Sequence, residues 1–162
     1  MYTRKTHGFT LVEILVAVAL VGIAFVALIA SNRAFTVANG QAIDISTAEF
    51  LAEQLRELTA ALPVVDPQTT TSTFGPEEGT LAGYDDLDDF DGAVISPPID
   101  AGRVAMSELA AFTQRITVEN VSGSDFTQVV GNHTTPFVRV TVDILMNGRT
   151  ITSTRWIRAR LN

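Results

Sequence analysis

Apolar positions are unevenly spread along this chain. Residues 14–30 form 17 consecutive positions that are all apolar or glycine. Residues 9–12 extend the run to about the length a bilayer core requires, roughly 20 residues at 1.5 Å each. One carboxylate, Glu13, interrupts it near its start. Beyond residue 31 the pattern becomes one-faced. Leu51, Leu55, Leu58 and Leu62 recur at the spacing of a single helix face, and Glu49, Glu53, Arg56 and Glu57 supply much of the polar complement. No proline occurs before Pro63. The pattern predicts one long helix over residues 9–62, about 80 Å if continuous. Asn39-Gly40 is its weak point, because glycine costs about 1 kcal/mol in a helix interior. Such a helix cannot fit inside a small globule, so one half needs lipid or a packed assembly around it.

Residues 63–83 read as a linker, with Pro63, Pro67, Pro76, Gly75, Gly79 and a Thr/Ser run at 69–73. An acidic stretch follows at 84–92, then Pro97-Pro98. The last third alternates. Residues 112–121 predict one strand and 137–145 a second, with Val138, Val140, Val142 and Ile144 on one face. Asn147-Gly148 is a hairpin signal, and 149–161 returns with Ile151, Ile157 and Leu161 on one face. Three antiparallel strands then have one apolar face to bury, and the leucine stripe is its cover. The expected fold class is α+β. Its divisions are a leader (1–8), a transmembrane or filament-core helix (9–30), an amphipathic helix half (31–62), a variable loop region (63–111) and a β-meander (112–162).

Composition narrows the function. Hydrophobic residues make up 46% of 162, concentrated at the N-terminal end, and the net charge is −7. That balance argues against nucleic-acid binding by bulk charge. With no cysteine, neither a disulfide nor a thiolate metal site can form. The two histidines, His7 and His133, lie far apart in sequence, and no phosphate loop or nucleophile elbow is present. Enzymatic readings therefore do poorly.

The leader, MYTRKTHG, is polar and precedes the apolar run, whereas a secretory signal peptide carries its apolar segment ahead of the cut. A cut at Gly8 would keep the membrane helix, remove Arg4 and Lys5, and leave 9 basic against 18 acidic residues. Arg4 and Lys5 place this end in the cytoplasm by the positive-inside rule. A charge such as Glu13 within a membrane helix costs roughly 2.5–3.5 kcal/mol on insertion scales, so it calls for a partner.

Gly8-Phe9-Thr10-Leu11-Val12-Glu13, with basic residues before it and the apolar helix after it, resembles the N-terminal segment of type IV pilins and type II secretion pseudopilins. The close match covers about the first thirty residues. The resemblance implies a pilin-like fold and a structural role. It implies cleavage by prepilin peptidase between Gly8 and Phe9, with N-methylation of Phe9. The new amine would give Glu13 a partner, within the helix or from a staggered neighbour, and so set assembly register. Gly22 would allow close helix approach or local unwinding. Implied partners are the peptidase, other pilin or pseudopilin subunits, an inner-membrane assembly platform and membrane lipid. The implied location is the bacterial inner membrane, with the C-terminal domain extracytoplasmic, and then a periplasmic or surface filament. The alternative is a membrane-anchored extracytoplasmic binding domain that does not polymerise.

Two further constellations carry candidate chemistry. Residues 85–91 hold five aspartates. Calcium takes six to eight oxygen ligands, which makes Asp86, Asp88, Asp89 and Asp91 candidate ligands. The EF-hand pattern does not fit, and the simpler reading is a solvated acidic turn anchored by Tyr84 and Phe90. Several pseudopilins hold calcium in a C-terminal loop. This stretch with Ser96-Pro97-Pro98 is also similar to acidic segments in minor pilins of the mannose-sensitive haemagglutinin type. Arg139, Arg149, Arg155, Arg158 and Arg160 could touch DNA on a filament, but they are interspersed and have no aromatic platform. Trp156 reads as core or interface, and no nucleic-acid partner is expected.

Overall fold

A computed structural model describes residues 8–66 and 74–160. The basic residues Arg4, Lys5 and His7, the 69–73 run and Leu161 fall outside the described residues. One helix, α1 (Leu11–Ala60), is followed by β1 (Val94–Ile95), β2 (Phe112–Asn120), β3 (Phe137–Met146) and β4 (Arg149–Ala159). The strands form one antiparallel sheet in the order β1-β2-β3-β4. The architecture is α+β and pilin-like, with four strands where three were expected. β1 is only two residues long, between the acidic stretch and Pro97, too short for alternation to reveal.

The chain divides into two compact units, residues 1–43 and 44–162. In the first, α1 passes Gly22, Asn39 and Gly40 without a break. The propensity cost of one glycine is small beside the cooperativity of the turns on either side. Thr36 adds a hydroxyl bond back to the Asn32 carbonyl at 3.0 Å. Every large apolar side chain between residues 9 and 29 is exposed. The helix is long and apolar enough to cross a membrane.

In the second unit, Ala48, Leu51, Ala52, Leu55 and Leu58 of α1 are buried with Phe112, Ile116 and Val118 of β2 and with Val138, Val140, Val142 and Ile144 of β3. The leucine stripe is therefore the cover that the sheet needs. Leu62 lies beyond the helix end and packs against the core only partly. The core face of β2 also carries a polar residue, Gln114. It receives the Ile99 amide at 2.8 Å and donates to the carbonyls of Ile99 at 3.0 Å and Leu51 at 3.1 Å. Those bonds tie helix, loop and strand together, and they offset the cost of burying an amide.

Asn147 (φ 50°) and Gly148 (φ 80°) make the two-residue hairpin between β3 and β4, both in the left-handed region that the turn demands. The phase expected for β4 needs correction. A bulge between the pairs Ile144↔Thr152 and Leu145↔Thr150 leaves Ile151 unpaired. Past it the alternation shifts. Trp156 stands opposite Val140 and packs on the core together with Ile151, while Ile157 stands opposite Arg139 on the other face.

Candidate functional site

The first unit contains the predicted processing segment. Gly8 and Phe9 are exposed ahead of the helix. Thr10 caps it. The Glu13 amide donates to Thr10 Oγ1 at 3.3 Å, and the Thr10 amide donates back to Glu13 Oε2 at 3.3 Å. Thr10 Oγ1 is also 3.5 Å from Glu13 Oε2. This is a capping box: two helix-start amides that lack carbonyl partners are satisfied reciprocally. The carboxylate also sits at the positive end of the helix dipole. Glu13 thus has a local role that the charge argument missed. Its signal was present in the sequence as Thr-x-x-Glu ahead of an apolar run. The amide bound to Glu13 belongs to the residue after Phe9, so an amine freed on Phe9 would start one residue from a carboxylate already turned toward it.

The second unit contains the acidic stretch, and here the solvated-turn expectation is overturned. Asp86, Asp88 and Asp89 are each only 1% exposed. Phe90 is fully buried, with Tyr84 edge-on to it at 5.1 Å, so the aromatic anchor drags the acids inward. A single 3-10 turn, Asp88–Phe90, holds the geometry. Asp89 Oδ2 receives the amides of Asp85 at 2.9 Å and Asp86 at 3.3 Å, and Asp86 Oδ1 receives the Asp89 amide at 3.1 Å. One oxygen on each of Glu78, Asp86, Asp88 and Asp89 is buried with no hydrogen-bond partner among the described residues.

Carboxylate oxygens converge in two sets. Those of Asp85, Asp86 and Asp89 lie within 4.8 Å of one another, as do those of Glu77, Glu78 and Asp89. Burial, with the Asp86 carboxyl beside it, pushes Asp88 up to about 8. Burial likewise raises Asp86 and Glu78. Asp91 does not join these sets. Its Oδ1 accepts the Val118 amide at 2.9 Å and pins the end of the stretch to β2. Of the four aspartates singled out from sequence, Asp86 and Asp89 lie in these sets and Asp88 and Asp91 do not, while Glu77, Glu78 and Asp85 complete them.

Arg103, not singled out from sequence, braces the same loop. With φ at 64°, its guanidinium reaches the carbonyls of Leu81 at 3.1 Å, Ala82 at 3.0 Å and Tyr84, and lies 6.0 Å from the Phe90 ring centre. No local pattern marks a residue that acts across such a sequence gap. Two of the five C-terminal arginines have structural work. Arg139 pairs with Glu119 at 2.7 Å, and Arg158 donates to the Thr59 and Leu62 carbonyls at 2.7 and 3.0 Å, closing the C-terminal end of α1. Arg149, Arg155 and Arg160 are exposed.

The family model described as the prokaryotic N-terminal methylation motif matches residues 3–29. The chain carries the type IV pilin and pseudopilin signature. Among the described residues, the structure gives this pilin-like precursor the long N-terminal helix and small sheet expected with that signature. The signature implies processing by prepilin peptidase and assembly with other pilin subunits, and with the exposed apolar helix it fits a membrane-anchored, single-pass precursor. No curated protein and no solved structure matches the chain significantly.

Proposed function

We propose that this pilin-like precursor becomes a structural subunit, a minor pilin or pseudopilin, of a type IV pilus-like or type II secretion filament. Its work is assembly, initiation or display, not catalysis. The observation that carries the reading is the exposed apolar helix that begins directly after Gly8-Phe9 and bears Glu13 in its first turn. Prepilin peptidase cuts between Gly8 and Phe9 and methylates the Phe9 amine. In the inner membrane the N-terminus faces the cytoplasm and the second unit lies outside. Parallel helices then exchange lipid for one another, and a neighbour's Phe9 amine pairs with Glu13. Within lipid each of those charges is costly alone, so pairing across subunits favours assembly and fixes the axial register.

The test is the N-terminus of the membrane form in cells that hold the peptidase. Mass spectrometry should find methylated Phe9 as the first residue. An intact Met1 or Tyr2 start defeats the pilin reading in favour of a membrane-anchored domain that never polymerises. The role of Glu13 is separable. Glu13→Ala loses both the acceptor for the Thr10 amide and the charge, whereas Glu13→Gln keeps that acceptor and loses only the charge. Both should be cleaved, and both should enter filaments at least about tenfold less, the effect of roughly 1.4 kcal/mol lost per contact. Normal incorporation of Glu13→Gln removes the pairing mechanism and leaves the processing intact.

A further inference from the structure

The acidic loop of the second unit presents a problem that the filament role does not solve. A folded protein that buries carboxylates normally pairs each one or satisfies it with donors. Here Asp86 Oδ2, Asp88 Oδ1, Asp89 Oδ1 and Glu78 Oε2 are buried with no hydrogen-bond partner among the described residues. Three of these residues also join convergent sets: Asp89 belongs to both, one with Asp85 and Asp86, the other with Glu77 and Glu78, while Asp88 lies outside them. The nearby cation does not answer them directly, because Arg103 spends its guanidinium on the backbone carbonyls of Leu81, Ala82 and Tyr84. The unpartnered oxygens and the convergence of the carboxylates are separate observations, and both point to a missing positive charge.

We infer that residues 77–89 form a calcium-class divalent cation site, with Asp86, Asp89 and Glu78 as its core ligands and Asp85 and Glu77 beside them. The donor set is all hard oxygen, without histidine or cysteine, which suits calcium or magnesium and not zinc or copper. Calcium fits better. It accepts six to eight oxygens in irregular geometry, with carboxylates mono- or bidentate, whereas magnesium demands a near-ideal octahedron and keeps several waters. Two sets of carboxylates sharing one aspartate supply many oxygens. The cation would tie Glu77-Glu78 to the Asp88–Phe90 turn and close the loop over Phe90. The loop is already fastened to its surroundings through Leu87 N to Pro63 O at 3.0 Å and Gly92 N to Ile116 O at 3.1 Å. Cation binding would therefore be felt as stability of the whole second unit. The inference does not depend on polymerisation.

The experiment uses the full chain in detergent micelles at neutral pH, stripped with chelator and then titrated with calcium chloride or magnesium chloride. Melting of the sheet-bearing unit should rise by about 5–10 °C with calcium at a hundredfold excess over its dissociation constant. Equilibrium dialysis should find calcium retained by the wild type. Asp89→Asn should abolish the rise and the retention. In chelator, Asp89→Asn should melt no lower than the wild type, because the amide oxygen still accepts the Asp85 and Asp86 amides while one crowded charge is gone. Asp91→Ala is the control: it removes the oxygen that accepts the Val118 amide, so it should melt lower in chelator yet keep the calcium increment, since Asp91 holds Val118 and not the ion. No rise at millimolar calcium overturns the site. So does a full rise in Asp89→Asn, and an equal rise with magnesium overturns the calcium class.

Discussion

At Glu13 a lone carboxylate opens an apolar helix, and the local backbone already meets it: one amide donates to it, and the threonine three residues earlier shares the cap. In the 85–91 stretch, five aspartates follow one another in a segment that looks made for water, yet three of them are 1% exposed and keep an unpartnered oxygen. The sequence makes the first carboxylate conspicuous and the second group ordinary. The structure reverses the order of strain. A charge on a helix can be met by the helix's own free amides. Several charges drawn under a buried phenylalanine compete for too few donors.

Phe90 is what draws the acids inward, so removing it should break the contrast most strongly. Phe90→Ala should cost about 3–5 kcal/mol in urea unfolding of the second unit, the usual range for emptying a buried aromatic site. Phe25→Ala, the same truncation on the exposed helix, should leave that transition unchanged. If the two variants behave alike, Phe90 is not the anchor of the loop.

The next effect is one of pH. Burial lifts Asp88 from 3.8 to about 8 in the folded chain, with Asp86 and Glu77 adding repulsion. A carboxyl raised on folding holds a proton that the unfolded chain has lost. Its folded state is therefore favoured at low pH and weakened as pH rises. With divalent ions chelated, stability should fall between about pH 4 and about pH 8 and then level off. Asp88→Asn should flatten that slope in urea midpoints measured across the range. A slope that survives unaltered in Asp88→Asn places the titration elsewhere.

How much of this could be read from the sequence follows from the range of the interactions. The helix, its leucine stripe, the Asn147-Gly148 hairpin and the strands at 112–121 and 137–145 all rest on local periodicity, and they were legible. The phase of β4 was not, because a bulge at Ile151 moves Trp156 inward through its pairing with β3. β1 was too short to show alternation. The burial of Asp86, Asp88 and Asp89 depends on Phe90, on the Pro63 carbonyl and on β2, all non-local. Arg103 joins the loop by contacts across 19–22 residues that spacing cannot encode, and Glu78 meets Asp89 from ahead of the aspartate run. The processing segment is the opposite case: Gly8, Phe9 and Glu13 lie within six residues. Even there one layer was overlooked, since Thr10 and Glu13 carry an ordinary capping signal beneath the conspicuous charge.

That overlooked layer gives the smallest predicted effect and the sharpest division of labour at Glu13. Thr10→Ala removes the hydroxyl that caps the Glu13 amide but leaves the carboxylate and its charge in place. Losing such a cap typically costs about 1 kcal/mol, confined to the first turn. Amide exchange in micelles should quicken near residues 11–14 by about fivefold, the factor that corresponds to that energy, while melting of the second unit stays fixed. If charge pairing between subunits governs assembly, Thr10→Ala should enter filaments within about twofold of wild type, far above Glu13→Gln. Should Thr10→Ala instead fall to the level of Glu13→Gln, the ordering of the first turn is what assembly requires. The register would then come from a formed helix end, with the amine–carboxylate pair following from it.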